Sequence, residues 1–88
     1  MKITKQVIKN ILSSFLNNLK KKKKLKFDIL SSDIDLISDG VLDSIDFLNM
    51  VTFLEKKLKK GLDFSEENPK NFSSFNKLVK IVFKRANK

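Results

Sequence analysis

Apolar side chains recur at intervals of three and four residues in three separate parts of the 88-residue chain. This is the spacing of one face of an α-helix. It predicts a first helix over 3–20, a second over 44–60 and a last helix capped by Ser73 or Ser74. The predicted inward stripes are Val7, Ile8, Ile11, Leu12, Phe15 and Leu19, then Phe47, Met50, Val51, Leu54 and Leu58, then Phe75, Leu78, Val79 and Val82, with Phe72 in front of the last.

Signals for helix ends flank these stripes. Asp43 precedes the second helix and can accept hydrogen bonds from its first amides, and Gly61 is the predicted stop. The five lysines at 20–24 are predicted to close the first helix, because like charges repel and favour exposure to water. A short helical turn is predicted over 65–68 and is ended by Pro69, because the residue before a proline avoids helical geometry.

Residues 25–43 lack a clean period, contain Gly40 and form a long predicted connection, with one helical turn around 29–32. A loop of this length in a small domain is usually functional. Its apolar residues are expected to anchor it across the edge of the core: Phe27, Ile29, Leu30, Ile34, Leu36, Ile37, Val41 and Leu42. Strand signals are weak, so the predicted fold is an all-α bundle of three main helices and one short one.

The length suits one domain over 1–88, with a core over about 3–85. No window of about 18 apolar residues could span a membrane, and no signal peptide is recognisable. The absence of cysteine permits a reducing compartment, so a cytoplasmic protein is the default expectation. The chain has no cysteine and no histidine, which disfavours serine and cysteine hydrolases and ordinary zinc sites. We therefore expect neither an enzyme nor a metal site. The core is expected to bury Ile8, Ile11, Phe15, Phe47, Val51, Leu54, Leu78 and Val82.

The net charge of +9 is distributed unevenly along the chain. Residues 1–26 carry nine lysines and no acid, residues 27–50 carry six aspartates and no base, and the remainder is basic. The lysine run could neutralise phosphates of a nucleic acid, but the acidic middle segment opposes such binding. The shortage of arginine beside abundant Lys, Asn, Ile and Phe is also typical of an AT-rich genome, which would explain the high pI without a function.

The segment 39–46, Asp-Gly-Val-Leu-Asp-Ser-Ile-Asp, resembles the attachment motif of acyl and peptidyl carrier proteins, which opens the second helix after a long loop. The resemblance implies a four-helix acyl-carrier-like bundle in which Ser44 receives 4'-phosphopantetheine from coenzyme A through a phosphopantetheinyl transferase. Its motif neighbours would be Gly40, Leu42, Asp43, Ile45 and Asp46. A phosphodiester at the first turn of a helix meets unpaired amides and the positive end of the dipole.

The resemblance extends over 64–75, which is similar to the connector, short third helix and serine-capped fourth helix of the family. The Asn71-Phe72 pair just before the last helix resembles an Asn-Phe pair of stand-alone aminoacyl and D-alanyl carriers. Fatty-acid carriers present glutamates along their second helix, whereas this chain has Asn49, Lys56 and Lys57 there. This departure favours a specialised pathway with its own loading ligase or synthase and its own acceptor enzyme.

Several residues leave alternatives open. Ser44 could be only a helix cap. Ile45, Leu48, Asn49, Thr52 and Glu55 are candidate contacts for a partner or the arm, although the apolar ones could instead contact the long loop. Phe53 could face the core or a partner. Asp33, Asp35 and Asp39 lack the pattern of a calcium loop, and the basic first helix could lie on a membrane surface.

Two functions follow from these features. The first is a monomeric carrier that holds an acyl or aminoacyl group as a thioester on an arm at Ser44 for a specialised biosynthetic pathway. The alternative is a small basic helical protein that binds nucleic acid or an anionic surface, with Ser44 as a cap. The acidic middle segment and the lack of an aromatic stacking platform count against this alternative.

Overall fold

A computed structural model describes residues 3–26, 28–31, 34–64 and 67–87, with only the backbone for Pro69 and Asn71. These residues form the α-helices α1 (Lys5–Lys23), α2 (Ser44–Leu58) and α3 (Phe75–Ala86), and a 3₁₀ helix over Pro69–Phe72. No strand occurs in the described ranges, which confirms the all-α class. Helix α1 packs against both α2 and α3, and the 3₁₀ helix packs against α3.

Helix α1 begins after Thr4, whose hydroxyl accepts a hydrogen bond from the Val7 N–H at 3.2 Å. It continues through Lys23, beyond the predicted end at residue 20, and stops at Lys24, which adopts a left-handed conformation with φ of 56°. The lysines prolong the helix because cations are favourable beside the unpaired carbonyl groups of its last turn. The left-handed residue Lys24 marks the end of α1, three residues beyond the predicted one.

Helix α2 begins where predicted, after Asp43, but ends at Leu58 before the predicted end at residue 60. The left-handed residue that closes it is Lys59, with φ of 55°, and its N–H donates to the Glu55 carbonyl. The Lys60 N–H donates to the same carbonyl at 3.2 Å. The prediction that Gly61 is the stop is wrong, because the chain has already left the helix when it reaches Gly61.

The short helix lies later in the chain than predicted. It begins at Pro69, whereas the sequence predicted a turn over 65–68 that Pro69 ends. Proline suits the first position of a helix, because its φ is already helical and it has no N–H to leave unpaired. Asn68 caps the turn by accepting a hydrogen bond from the Lys70 N–H at 2.9 Å. Residues 65 and 66 lie outside the described part of the chain.

Helix α3 begins after Ser74, one of the two caps that the sequence allowed. Its hydroxyl accepts a hydrogen bond from the Lys77 N–H at 3.3 Å. Near the other end of α3, Arg85 forms an ion pair with Glu67 of the connector. The C-terminal helix is thereby tied to the segment that follows α2.

The core is built from aliphatic side chains of all three helices and of the long loop. Four predicted members, Ile8, Leu54, Leu78 and Val82, are buried. Ile11, Phe15 and Phe47 are only half-buried where they pack against the core, and Val51 is half-buried as well. The α1 face turned to the core is Ile8, Leu12, Leu16 and Leu19, and the α2 face is Met50, Leu54 and Leu58. The predicted core is wrong for the half-buried positions. The apolar face of a helix is broad, and only the residues along its middle reach the centre of the core.

The loop between α1 and α2 is anchored by its aliphatic side chains, as predicted. Ile29, Leu36, Val41 and Leu42 are buried, whereas Ile37 is 44% exposed and faces away from the core. The described residues 28–31 form a turn, closed by a hydrogen bond from the Ser31 N–H to the Asp28 carbonyl, in place of the predicted helical turn. Phe27 lies outside the described residues.

Two backbone hydrogen bonds hold this loop in register. The Leu36 N–H donates to the Ser73 carbonyl at 2.7 Å, and the Leu42 N–H donates to the Leu36 carbonyl at 2.8 Å. The first bond joins the loop to the start of the C-terminal helix, and the second folds the loop back on itself. Together they bring the start of α2 close to the 3₁₀ helix.

Helix α1 uses its apolar face inside the bundle, which accounts for its amphipathic pattern. In the described part of the chain, no helix combines the length and the apolar character needed to cross a membrane.

The core predicts a clear contrast between two leucines of α2. We expect Leu54→Ala to lower the free energy of unfolding by about 2–5 kcal/mol, because Leu54 is fully buried and the substitution leaves a cavity. We expect Leu48→Ala to change it by only about 0.5 kcal/mol, because Leu48 is 65% exposed. Urea denaturation followed by circular dichroism measures both values, and equal losses would contradict this packing.

Candidate functional site

Ser44 is the first residue of α2, and its side chain is exposed where the long loop meets the helix. The N-cap is its neighbour Asp43, whose Oδ1 accepts a hydrogen bond from the Asp46 N–H at 2.7 Å. In return, Asp46 Oδ2 accepts from the Asp43 N–H at 3.2 Å, which completes a capping box. The alternative in which Ser44 itself caps the helix is therefore wrong. Its hydroxyl is left accessible beside a well-formed cap.

A mostly apolar groove of about 640 Å³ opens beside Ser44. It is lined by Ile37, Gly40, Leu42, Asp43, Ser44, Phe47, Leu48 and Phe72. The loop supplies one side of this groove, the first turns of α2 another, and the 3₁₀ helix the last. Such a concave apolar surface with a few polar groups at its edge is typical of a site that holds a small organic group.

Three phenylalanines form an aromatic cluster at this groove: Phe47 and Phe72 line it, and Phe64 packs against both. The ring centres of Phe47 and Phe72 lie 4.8 Å apart, and Phe64 lies 5.6 Å from Phe72 and 6.2 Å from Phe47. Tilted and edge-on arrangements at these distances are favourable for aromatic pairs. The connector that carries Phe64 therefore stabilises the groove although it lies outside the attachment motif.

Large apolar side chains are also exposed around Ser44. Ile45 is 69% exposed and Leu48 is 65% exposed, and Ile37 of the loop lines the groove together with Leu48. Ile45 and Leu48, which the predicted inward stripe of the second helix left out, therefore lie off the core. Clustered exposed apolar side chains are typical of a contact surface, and their role towards a partner or an arm stays a prediction.

The other candidate contact residues differ in their availability. Asn49 and Thr52 are exposed, and the Thr52 hydroxyl donates to the Leu48 carbonyl at 3.0 Å. Glu55 is half-buried, and its Oε2 accepts a hydrogen bond from the Leu62 N–H at 2.8 Å. Glu55 therefore holds the connector after α2, which is a structural role that the sequence did not indicate.

Phe53, which the sequence left open, is half-buried between helices. Its ring centre lies 5.6 Å from that of Phe15, and the Lys57 ammonium lies 5.5 Å from the ring centre on α2. Phe53 thus contributes to the contact between α1 and α2. The lysine above it adds a cation–π contact.

Aspartates before the motif give the loop its shape. Asp35 Oδ1 accepts hydrogen bonds from the N–H groups of Ser38 at 2.9 Å and Ile37 at 3.0 Å, and Asp39 Oδ2 accepts from the Asp35 N–H at 3.0 Å. The hydrogen bond from the Ser38 N–H, followed by that from Ile37, lowers the pKa of Asp35 below its ordinary value. Aspartates commonly stabilise turns in this way. The turn leads to Gly40, whose φ of 75° suits glycine.

Asp33, Asp35 and Asp39 lack the pattern of a calcium loop, and two of them, Asp35 and Asp39, organise the backbone of the turn. For Asp35, the signal that could have indicated this role is an aspartate two or three residues before the amides it binds. Asp33 lies outside the described residues. Within the described ranges, no three potential metal ligands lie together.

Lys23 is the residue of the site that the sequence interpretation missed. Its ammonium group donates to the Val41 carbonyl at 2.8 Å, to the Gly40 carbonyl at 3.4 Å and to Asp46 Oδ2 at 2.5 Å. Within a run of five lysines, the sequence offers no signal that singles out one member. Only the packing of α1 against α2 brings this ammonium group to the loop.

The environment of Asp46 favours its charged form. Partial burial by itself raises the pKa of Asp46, but hydrogen bonds from Lys23 and from the Asp43 backbone, together with the lysine charge, outweigh this and lower it. Asp46 therefore keeps its negative charge at neutral pH while it serves both the helix cap and the ion pair.

Comparisons of the chain with models of known protein families, with curated proteins and with solved structures find no match. The functional interpretation therefore rests on the sequence and on the site itself.

The capping box makes the side chain of Asp43 more important for stability than that of Ser44. We expect Asp43→Ala to lower the free energy of unfolding by about 1 kcal/mol, because the first-turn amide of Asp46 loses its acceptor. We expect Ser44→Ala to change it by less than about 0.5 kcal/mol, since that side chain is exposed. Urea unfolding of both variants measures the difference, and a larger loss for Ser44→Ala would contradict the assignment of the cap.

The lowered pKa of Asp46 predicts a pH dependence of the ion pair. A carboxyl group with a lowered folded-state pKa stabilises the protein above its unfolded pKa of about 3.9, and this contribution is lost as the pH falls through the folded-state value. We expect Lys23→Met to cost about 1 kcal/mol near neutral pH and less at the acid limit, where the pair with Asp46 is lost but the hydrogen bonds to the Gly40 and Val41 carbonyl groups remain. Urea unfolding across this pH range measures the change, with the exposed Lys22→Met as control. A cost independent of pH would contradict the ion pair.

Proposed function

We propose that this chain is a carrier protein in which Ser44 bears a 4'-phosphopantetheine arm that holds an acyl or aminoacyl group as a thioester. The observation that carries this proposal is the accessible hydroxyl at the first residue of α2, next to a cap made by another residue and beside an apolar groove. The resemblance of 39–46 to the carrier attachment motif supplies the identity of the group. The exposed position allows a transferase to reach the hydroxyl without unfolding the bundle.

The residues around Ser44 suit a phosphodiester at this position. The first N–H groups of a helix have no intrahelical acceptor and lie at the positive end of its dipole. The carboxylates of Asp43 and Asp46 would oppose an added negative charge, but Asp43 binds an amide, and Lys23 forms an ion pair with Asp46. The local charge is therefore partly balanced before any group is attached.

The attached arm would supply a thiol, which this chain lacks because it has no cysteine. The chain itself would present Ser44 at an exposed corner, and Leu42, Phe47 and Phe72 would shield apolar groups from water in the groove. Tethering of this kind raises the effective concentration of the cargo for an acceptor enzyme. The protein in this proposal is a carrier and not a catalyst.

The proposal extends to the whole chain and its partners. We propose one carrier domain over 1–88, with an acyl-carrier-like arrangement in which the 3₁₀ helix takes the place of the family's short helix. Its partners would be a phosphopantetheinyl transferase, a loading ligase or synthase and an acceptor enzyme, met by a cytoplasmic monomer. Asn49, Lys56 and Lys57 are exposed on α2, so this helix does not present the row of glutamates that fatty-acid carriers offer to their partners. This supports a specialised pathway with partners of its own.

One observation favours the alternative function. Lys21, Lys22, Lys24 and Lys26 are exposed at the end of α1 and could neutralise the phosphates of a nucleic acid or an anionic surface. This function predicts salt-dependent binding to duplex DNA or to anionic vesicles that Ser44→Ala does not change. The carrier function does not predict binding of the lysine run to DNA or to vesicles.

Intact-protein mass spectrometry tests the carrier proposal. We expect the wild-type chain, incubated with a broad-specificity phosphopantetheinyl transferase, coenzyme A and magnesium, to gain the mass of one phosphopantetheine group. We expect Ser44→Ala to gain none, because the acceptor hydroxyl is missing. Ser14→Ala is the matched control, since it removes an exposed serine from the middle of α1 and keeps the site.

Tandem mass spectrometry of the modified chain should place the added group on Ser44. Circular dichroism should show that Ser44→Ala keeps its helical structure, which separates a missing acceptor from a missing fold. If folded wild-type chain gained no mass, also with the transferase of its native host, the carrier proposal would be rejected and binding to DNA and vesicles would be measured next.

A further inference from the structure

We propose that Lys23 is a positioning residue for the modification of Ser44, because it holds the end of the long loop and the first turn of α2 in one arrangement. This inference rests on the proposed carrier function and deepens it. It concerns a residue that lies 21 positions before Ser44 and outside the attachment motif. Lys23 does not need to contact the reacting groups, since it acts through the backbone that carries Ser44.

The contacts of Lys23 lie on both sides of Ser44 in the chain. On one side, its ammonium group binds the carbonyl groups of Gly40 and Val41, at the end of the loop. On the other side, it binds the carboxylate of Asp46, in the first turn of α2. One cation therefore connects three elements: the C-terminal end of α1, the loop and the start of α2.

The contacts are partly shielded from water, which makes them stronger than those of a surface lysine. The Lys23 side chain is 27% exposed and that of Asp46 is 14% exposed. Charge-assisted hydrogen bonds are shorter and about twice as strong as neutral ones. The flanking Lys22 and Lys24, by contrast, are exposed to solvent.

The loop needs such a connection near Ser44. Gly40 is exposed and has no Cβ, so its backbone, which adopts a φ of 75°, has more conformational freedom than that of other residues. The backbone carbonyl groups of Gly40 and Val41 would lose a donor if Lys23 were removed. We expect the loop end and the helix cap then to sample several arrangements, of which only a fraction fits a transferase.

A fractional population of the competent arrangement raises the apparent KM and leaves kcat unchanged, because a saturating partner selects that arrangement. We therefore expect Lys23→Met to raise the KM of a phosphopantetheinyl transferase for the carrier about tenfold, with kcat nearly unchanged. Lys23→Arg should restore part of the loss, since its guanidinium group can still donate to the carboxylate and the carbonyl groups. Initial rates with coenzyme A and magnesium, over a range of carrier concentrations, give both constants.

Two control variants separate positioning from charge and from stability. Lys22→Met removes the same charge from the neighbouring residue, and Ser74→Ala removes the cap of α3 at a stability cost of about 1 kcal/mol without touching the Lys23 contacts. We expect both to keep KM within about twofold of wild type. Equal KM values for Lys23→Met and Lys22→Met, or equal increases for Lys23→Met and Ser74→Ala, would overturn the inference. An effect that disappears at high salt would also overturn it, because it would reflect only long-range attraction.

Amide hydrogen exchange gives a readout that needs no transferase. The Leu42 N–H, which donates to the Leu36 carbonyl at 2.8 Å, reports on the loop, and the Leu54 and Leu78 amides report on the helices. We expect Lys23→Met to speed exchange about tenfold at Leu42 and much less at the helical amides. A uniform increase at all three amides would show general destabilisation and overturn positioning.

The kinetic and the exchange experiments also distinguish this inference from the proposed function. If the wild-type chain were not modified, the carrier proposal and the role of Lys23 in modification would both be rejected, whatever the exchange result. If the wild-type chain were modified and Lys23→Met behaved like Lys22→Met, the carrier proposal would stand and the positioning role alone would be rejected.

Discussion

Attachment of the long loop to the helical core is the constraint on which the remaining structure depends. Ile29, Leu36, Val41 and Leu42 are buried with the side chains of all three helices, although the described loop residues form no helix or strand. Full burial of one such side chain contributes about 1.5–3 kcal/mol, which offsets much of the entropy lost when an irregular segment becomes ordered. The loop then reaches Ser44 from a defined direction and supplies one side of the groove.

Polar interactions refine this arrangement without entering the core, since the described residues bury no charged or polar side chain there. Carboxylates at the turn and at the helix cap bind backbone amides, and Lys23 connects the cap with α1. The acidic middle of the chain therefore has a local structural use: several of its aspartates organise the segment that leads into α2. The exposed lysines at the end of α1 extend into solvent, where their repulsion is screened.

The sequence was sufficient for the features that depend on neighbouring residues. Apolar periodicity identified the three α-helices. Asp43 was recognised as a cap and the cap of α3 was narrowed to Ser73 or Ser74, because a cap acts within one turn. The motif placed Ser44 at the start of a helix, and the exposure of Ile45 and Leu48 followed from their angle on that helix. The predicted stop at Gly61 failed because Lys59 adopts the left-handed conformation that glycine adopts more readily.

By itself, therefore, the sequence determined the class of fold and the order of the helices, since these follow from contacts between residues a few positions apart; it proposed Ser44 as the candidate site through the resemblance of 39–46 to a carrier motif. Only the tertiary structure decided which apolar residues reach the centre of the core, how the three phenylalanines support the groove, and which of five adjacent lysines meets Asp46. Those features depend on how helices rotate and approach one another. Identical residues in a run are equivalent in sequence and become distinct only when the helix that carries them is packed.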